Sequence, residues 1–229
     1  MPLKLEEIDL FTIGYENRFA KTAYPLMLFQ IQNFEEVQFR IMSHIDEIEN
    51  INLKNITNHT GDTGAFGATL SHSVFNFFDT GNFEELRIVL KEACLKYQKN
   101  VFDDDSKLIQ KCWGNKLYKF DFLQKHPHVS DFMMKQKEST NLFSLHLTVK
   151  SSPLNKTVYT PASNVFDKDP IFNGSFYSPN VEGQITLFPS SLAHFTTPNV
   201  SEEARYSLAM DVESLSEETS HISQEMRAF

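Results

Sequence analysis

Residues 184–212 read QITLFPSSLAHFTTPNVSEEARYSLAMDV, and this stretch decides the fold. Two β-like runs, 184–188 and 206–212, alternate apolar with small or polar side chains, as strands with one buried face do. Pro189 halts the first run because it has no N–H to give to a ladder. His194 follows at the turn. Arg205 comes eleven residues after His194, and on an extended strand Arg205 and Ser207 project to the same face. A guanidinium fork beside a hydroxyl suits a carboxylate held in an apolar pocket.

Upstream, residues 108–115, 117–123, 142–149 and 174–177 also read as short strands separated by turn residues, the spacing of a sandwich or jelly roll. Within this region lies Lys125-His126-Pro127-His128. Two imidazoles two residues apart project to one side of a strand end and form a natural chelate for a divalent ion. His194, from a later strand, supplies a third ligand and leaves the opposite positions of the ion open. A bland reading stands beside this one, in which the three histidines are packed or surface residues and Arg205 pairs with Glu202 or Glu203. His146 alternates with Leu145 and Leu147 on a predicted strand, so it is expected to pack in the core or line a pocket rather than to ligate. His44, His59, His72 and His221 receive no role.

The first hundred residues supply support. Strands are predicted at 8–13 and 24–31. Asn33-Phe34-Glu35-Glu36 then opens a helix, with an Asx side chain able to cap and two acids at the positive helix end. Phe34, Val37, Ile41, Ile45 and Ile48 recur at helical spacing through about residue 50, with Glu35, Gln38 and Glu49 opposite. The same word at Asn82-Phe83-Glu84-Glu85 opens a second helix, with Leu86, Leu90, Ala93 and Tyr97 on one face. The Gly-rich segment 60–67 follows no strand and lacks the Lys-Ser/Thr of a phosphate loop.

Composition bounds the rest. The 229 residues are 41% hydrophobic and include 21 Phe, enough for one core and favouring strands over a bundle. The expected fold is α+β, mainly β, in a single domain over 1–229. Strands and supporting helices occupy 1–105, a double-stranded β-helix (jelly roll) occupies 106–212, and a polar tail or surface helix occupies 213–229. A net charge of −9 without Lys/Arg clusters argues against nucleic acid. No apolar run has the length of a membrane span and no apolar signal core opens the chain, so a cytoplasmic protein without membrane partners is expected. Cys94 and Cys112 have no CxxC spacing and read as reduced and structural. The Asn-x-Ser/Thr triplets at Asn55, Asn58 and Asn155 read as chance.

In order along the chain stand Trp113-Gly114-Asn115, His126-Pro127-His128, Phe188-Pro189-Ser190, His194, Pro198-Asn199 and Arg205-Tyr206-Ser207. This series, over residues 60–212, resembles the 2-oxoglutarate- and iron(II)-dependent dioxygenases, in particular a prolyl-hydroxylase-like branch from marine bacteria and their phages. The resemblance implies Fe(II) on His126, His128 and His194, and 2-oxoglutarate clamped by Arg205 and Ser207 with Asn115 hydrogen-bonded to it. Trp113, Tyr118 and His146 would line the pocket. It further implies O2 as co-substrate, succinate and CO2 as products, and hydroxylation of a peptide or small molecule, in the host cytoplasm if the gene is a phage's. The wider superfamily has His-x-Asp where this chain has His126 and His128, so Asp131 or Asp121 stands as an alternative third ligand. The rival class is a non-catalytic jelly roll, a phage structural or carbohydrate-binding protein whose histidines pack or hold zinc. Oxidative demethylation of nucleic acid keeps the fold but needs a basic groove, which the net charge opposes.

Overall fold

Alternation along the strands separates two faces of one large antiparallel sheet, and that separation positions everything else. A computed structural model describes residues 1–16, 21–55, 65–66, 69–70, 76–128, 142–161, 174–215 and 227–229. The large sheet contains β1 (Lys4–Glu16), β2 (Lys21–Gln32), β4 (Thr69–Leu70), β5 (Lys107–Leu117), β7 (Leu142–Lys150), β10 (Gln184–Pro189), β12 (Arg205–Leu215) and β13 (Arg227–Ala228). Its order is β1-β2-β10-β7-β12-β5-β13, with β4 also pairing β5. A second sheet has the order β11-β8-β9, from β8 (Thr157–Thr160), β9 (Phe176–Ser178) and β11 (Ala193–Thr196). A third pair joins β3 (Ala65–Phe66) to β6 (Phe122–Leu123). The architecture is the expected mainly β jelly roll with few helices.

The helices are α1 (Glu35–Asn55), α2 (Phe77–Thr80) and α3 (Glu84–Phe102). The predicted stripe of α1 is buried throughout, from Phe34 to Ile48, and so are Leu86, Leu90, Ala93 and Tyr97 of α3. They join Leu145, Leu147, Leu208, Met210 and Val212 in one cluster on the outer side of the large sheet. Each buried Val, Leu, Ile, Phe or Met among them contributes about 1.5–3 kcal/mol by leaving water. Gly114 makes the approach of α1 possible. A Cβ there would lie 2.6 Å from Ile45 Cγ1, so any larger residue on β5 pushes the helix away. The inner side of the sheet faces β8 and β11 across a smaller cluster of Ile13, Leu26, Tyr159, Phe188 and Leu192.

Several expectations change. Neither helix starts through an Asx cap: α3 has Phe83 at its N-cap with no side-chain hydrogen bond. Asn33 takes a φ of 61° and donates its side-chain amide to the Pro2 carbonyl. What the two Asn-Phe-Glu-Glu words share is a buried Phe and two first-turn acids. Glu49, expected on the solvent face of α1, is buried and accepts from Lys116 Nζ at 2.9 Å and from the Tyr118 hydroxyl at 2.8 Å. The predicted strands 108–115 and 117–123 are one strand, β5, then a turn at Tyr118–Asp121 where Phe120 has a φ of 71°, then β6. β8 was not foreseen. The expected polar tail gives up its first residues to β12, and its end returns as β13, where the Phe229 N–H donates to the Leu108 carbonyl at 3.2 Å. The Gly-rich residues 60–64 and 67, together with His59, His72 and His221, lie outside the described residues.

Candidate metal centre

Two segments bring the three histidines together through main-chain bonds. His126 and His194 form an antiparallel bridge, each N–H donating to the other's carbonyl at 3.0 Å. His194 therefore sits on β11 rather than at a turn, opposite Tyr159 of β8. Two residues on from His126, the His128 N–H donates to the Ser190 carbonyl at 2.9 Å, which ties the His-x-His segment to the end of β10. The ligand atoms of His126, His128 and His194 all lie within 4.8 Å of one another, and among the described residues no other group of His, Cys, Asp or Glu does so.

The ring nitrogens divide into two sets. Nδ1 of His126 faces the Gln124 carbonyl at 2.6 Å, Nδ1 of His194 faces the Leu192 carbonyl at 3.4 Å, and Nδ1 of His128 bonds the Asp211 carboxylate. With Nδ1 carrying the hydrogen in each case, Nε2 is left with its lone pair. Nε2 of His128 and Nε2 of His194 are 3.3 Å apart. Two nitrogens about 2.1 Å from one ion, at roughly 90–109° to each other, are separated by about 3.0–3.4 Å, so this spacing suits a shared ion. Burial, reinforced by the neighbouring His128, holds His194 well below the usual imidazole range, and burial lowers His126 as well. Both rings are thus neutral at neutral pH, the form that ligates.

A cavity opens beside the rings, lined by Trp113 and Asn115 of β5, His146 of β7, Thr157 of β8, Phe188 of β10 and Ala209 of β12, among others. His146 is 7% exposed, its Nδ1 has no partner among the described residues, and burial with the nearby Arg205 pushes its pKa down to about 3. It lines the cavity and stands outside the group of three histidines. Arg205 is 2% exposed; its Nη2 donates to Thr157 Oγ1 at 2.7 Å, while Nε and Nη1 have no partner among the described residues. Neither Glu202 nor Glu203 pairs with it: they accept from Lys119 and Lys150. Burial lowers the guanidinium to about 10, which still leaves it charged. A buried cation with two nitrogens unpartnered among the described residues is costly unless an anion arrives.

Ser207 is buried on the same face, paired across to Asn115 and Thr148. Asn115 lines the cavity and its Oδ1 is unpaired among the described residues. Tyr118 is a correction. It is 45% exposed outside the cavity, because it begins the turn after β5 and turns its hydroxyl to Glu49. Asp121 is likewise no ligand, since its carboxylate closes that turn by accepting from the Tyr118 N–H at 2.9 Å. Asp131 lies outside the described residues. Three contributors escaped the sequence reading: Asp211, Thr157 and Tyr159. Asp211 was accessible by parity, lying six residues past Arg205 and so on the same strand face. Thr157 and Tyr159 sit on the unforeseen β8, where Tyr159 is fully buried and stacks 5.7 Å from the His194 ring.

No protein-family model and no curated protein matches the chain. Solved structures do. The non-heme alpha-ketoglutarate-dependent carbocyclase SnoK from nogalamycin biosynthesis superposes with a TM-score of 0.54 at 8% identity, over 82% of this chain and 79% of that one. A prolyl hydroxylase from Trichoplax adhaerens, in complex with a hypoxia-inducible-factor peptide fragment, gives 0.53 at 9% identity, over 82% and 83%. At such identities the likeness is one of fold, and the chain shares the jelly roll of both.

Proposed function

We propose that this protein is an iron(II)- and 2-oxoglutarate-dependent oxygenase that hydroxylates a C–H bond of a peptide or small molecule. The observation that carries the reading is the fully buried Arg205, with two guanidinium nitrogens unpartnered among the described residues, on the inner sheet face that also presents Asp211 and through it His128. A three-nitrogen site alone would serve zinc equally well; a buried, unmatched guanidinium beside it asks for a dicarboxylate.

In this reading His126, His128 and His194 would hold the iron through Nε2, and the cavity beside them would receive the oxo-acid end of 2-oxoglutarate. Arg205 holds the far carboxylate through guanidinium N–H groups that Thr157 does not use, and Thr157 Oγ1 fixes the plane of the guanidinium by accepting from Nη2. Tyr159, whose hydroxyl burial keeps protonated, stands beside Arg205 as a further donor. Asn115 offers a hydrogen bond to the bound acid, and Trp113 and Phe188 wall the rings from water. Iron bound there supplies oxygen activation coupled to decarboxylation. The balance is 2-oxoglutarate, O2 and R–H giving succinate, CO2 and R–OH. The fold relatives act on a peptide and in small-molecule biosynthesis, and both substrate classes fall within the proposal. The buried free thiols of Cys94 and Cys112 accord with a reducing, cytoplasmic setting.

Anaerobic Fe(II) with 2-oxoglutarate should give the weak visible charge-transfer band of the chelate, and admitting O2 should release succinate. Absence of both sinks the reading. Arg205→Ala should raise the 2-oxoglutarate concentration needed by roughly 100- to 10,000-fold, the value of two charge-assisted hydrogen bonds, while iron content stays near that of the parent protein.

A further inference from the structure

We propose that Asp211 is the positioning residue of the metal centre: its carboxylate fixes the His128 ring with Nε2 toward the ion and returns to the site the negative charge that a carboxylate ligand would carry. The inference rests on the reading that the three imidazoles hold a divalent ion.

The three rings are not supported alike. His126 and His194 direct Nδ1 to main-chain carbonyls, which are neutral acceptors. His128 alone among them directs Nδ1 to a carboxylate. A carboxylate behind an imidazole holds the tautomer and raises the basicity of the ligating nitrogen. His128 is also the position at which this chain departs from a His-x-Asp pair. The charge that is missing from the ligand set is thus present one hydrogen bond away.

Asp211 is itself held. It lies opposite Ser144 across the β12–β7 ladder, and Ser144 Oγ donates to Asp211 Oδ1 at 3.0 Å. Ser144 Oγ and Ser190 Oγ share a hydrogen bond of 2.8 Å, and the Ser190 carbonyl accepts from the His128 N–H. The chain of contacts runs from the His128 ring through Asp211, Ser144 and Ser190 back to the His128 main chain. Ring and backbone of this one ligand are therefore set by a single closed circuit spanning β7, β12 and the end of β10. A carboxylate present only to solubilise the sheet needs none of these partners.

Two measurements on the full chain test the assignment. The first is Co(II) titration, without cosubstrate, against a competing chromophoric chelator. Asp211→Asn keeps the shape and an acceptor oxygen but removes the charge, and should weaken Co(II) binding by about 10- to 100-fold. Asp211→Glu, which restores the charge, should recover part of the loss. Asp211→Asn binding Co(II) within about twofold of the parent, with an unchanged melting temperature, would overturn the proposal. If the parent protein binds no Co(II), the metal-centre reading itself falls and takes this inference with it. The second measurement needs no variant: nitrogen-15 spectra of the metal-free protein should show His128 with its hydrogen on Nδ1. Finding it on Nε2 overturns the assignment even if Asp211→Asn does not fold.

Discussion

The two faces of β12 do opposite work. Tyr206, Leu208, Met210 and Val212 look outward into the helix-packed core, whereas Arg205, Ser207, Ala209 and Asp211 look inward to the candidate site. The neighbours repeat the division: Phe143, Leu145 and Leu147 against Ser144, His146 and Thr148 on β7, and Cys112 and Gly114 against Trp113 and Asn115 on β5. One face carries apolar area and little chemistry. The other carries a guanidinium with two nitrogens, an imidazole nitrogen and an amide oxygen that have no partner among the described residues, all of which cost stability. Stability and function thus lie on alternate residues of the same strands.

Three experiments can break that division or sharpen it. The largest effect belongs to the outer face. Leu208→Ala should lower stability by about 3 kcal/mol and the melting temperature by roughly 6–12 °C, while Ser207→Ala, one residue away, should cost less than about 1 kcal/mol. Urea unfolding of the pair measures the contrast, and equal losses would show that the inner face bears load after all.

Next comes pH. Native His146 stays neutral down to about pH 3, mainly through burial, whereas in the unfolded chain it takes up a proton below about 6.5. The unfolded state therefore binds more protons as pH falls, and the native state loses about 1.4 kcal/mol per pH unit from this residue across that window. His146→Leu should remove this share of the slope, so the variant should gain stability relative to the parent as pH falls from about 7 to about 5. A gap independent of pH would mean that His146 is not held neutral.

The smallest effect has the opposite sign. Arg205→Leu removes a buried charge that lacks an anion among the described residues, and it should raise the melting temperature of the cosubstrate-free protein, by about 1 kcal/mol of stability, while abolishing stabilisation by added 2-oxoglutarate. A loss of stability on this change would place Arg205 with the structural residues of the outer face.

Much of this was legible in the residues because both periods are local. The stripe from Phe34 to Ile48, the alternation of β12 and the order of the histidines and Arg205 follow from spacing alone. What escaped depends on distant partners. A buried Glu49 is understandable only with Lys116 facing it from β5, some seventy residues on. The turn at Phe120 is held by Asn199, whose carbonyl accepts from the Phe120 N–H at 2.7 Å, and nothing near residue 120 announces that. β8 is four residues long and stops before Pro161, too short for a period to show. Asp211 was missed because a carboxylate in a strand reads as a solvent-facing residue until the imidazole across from it is known.

The bridge between His126 and His194 has a consequence for how such a centre can change. Its two hydrogen bonds use only main-chain atoms, and so does the tie from His128 to Ser190. Main-chain bonds thus set where each of the three histidines stands, and side chains such as Asp211 orient the ring it carries. A lineage or a designer can exchange the residue at 126, 128 or 194 for another donor without moving the scaffold, and so alter which ion is preferred while the fold stays as it is.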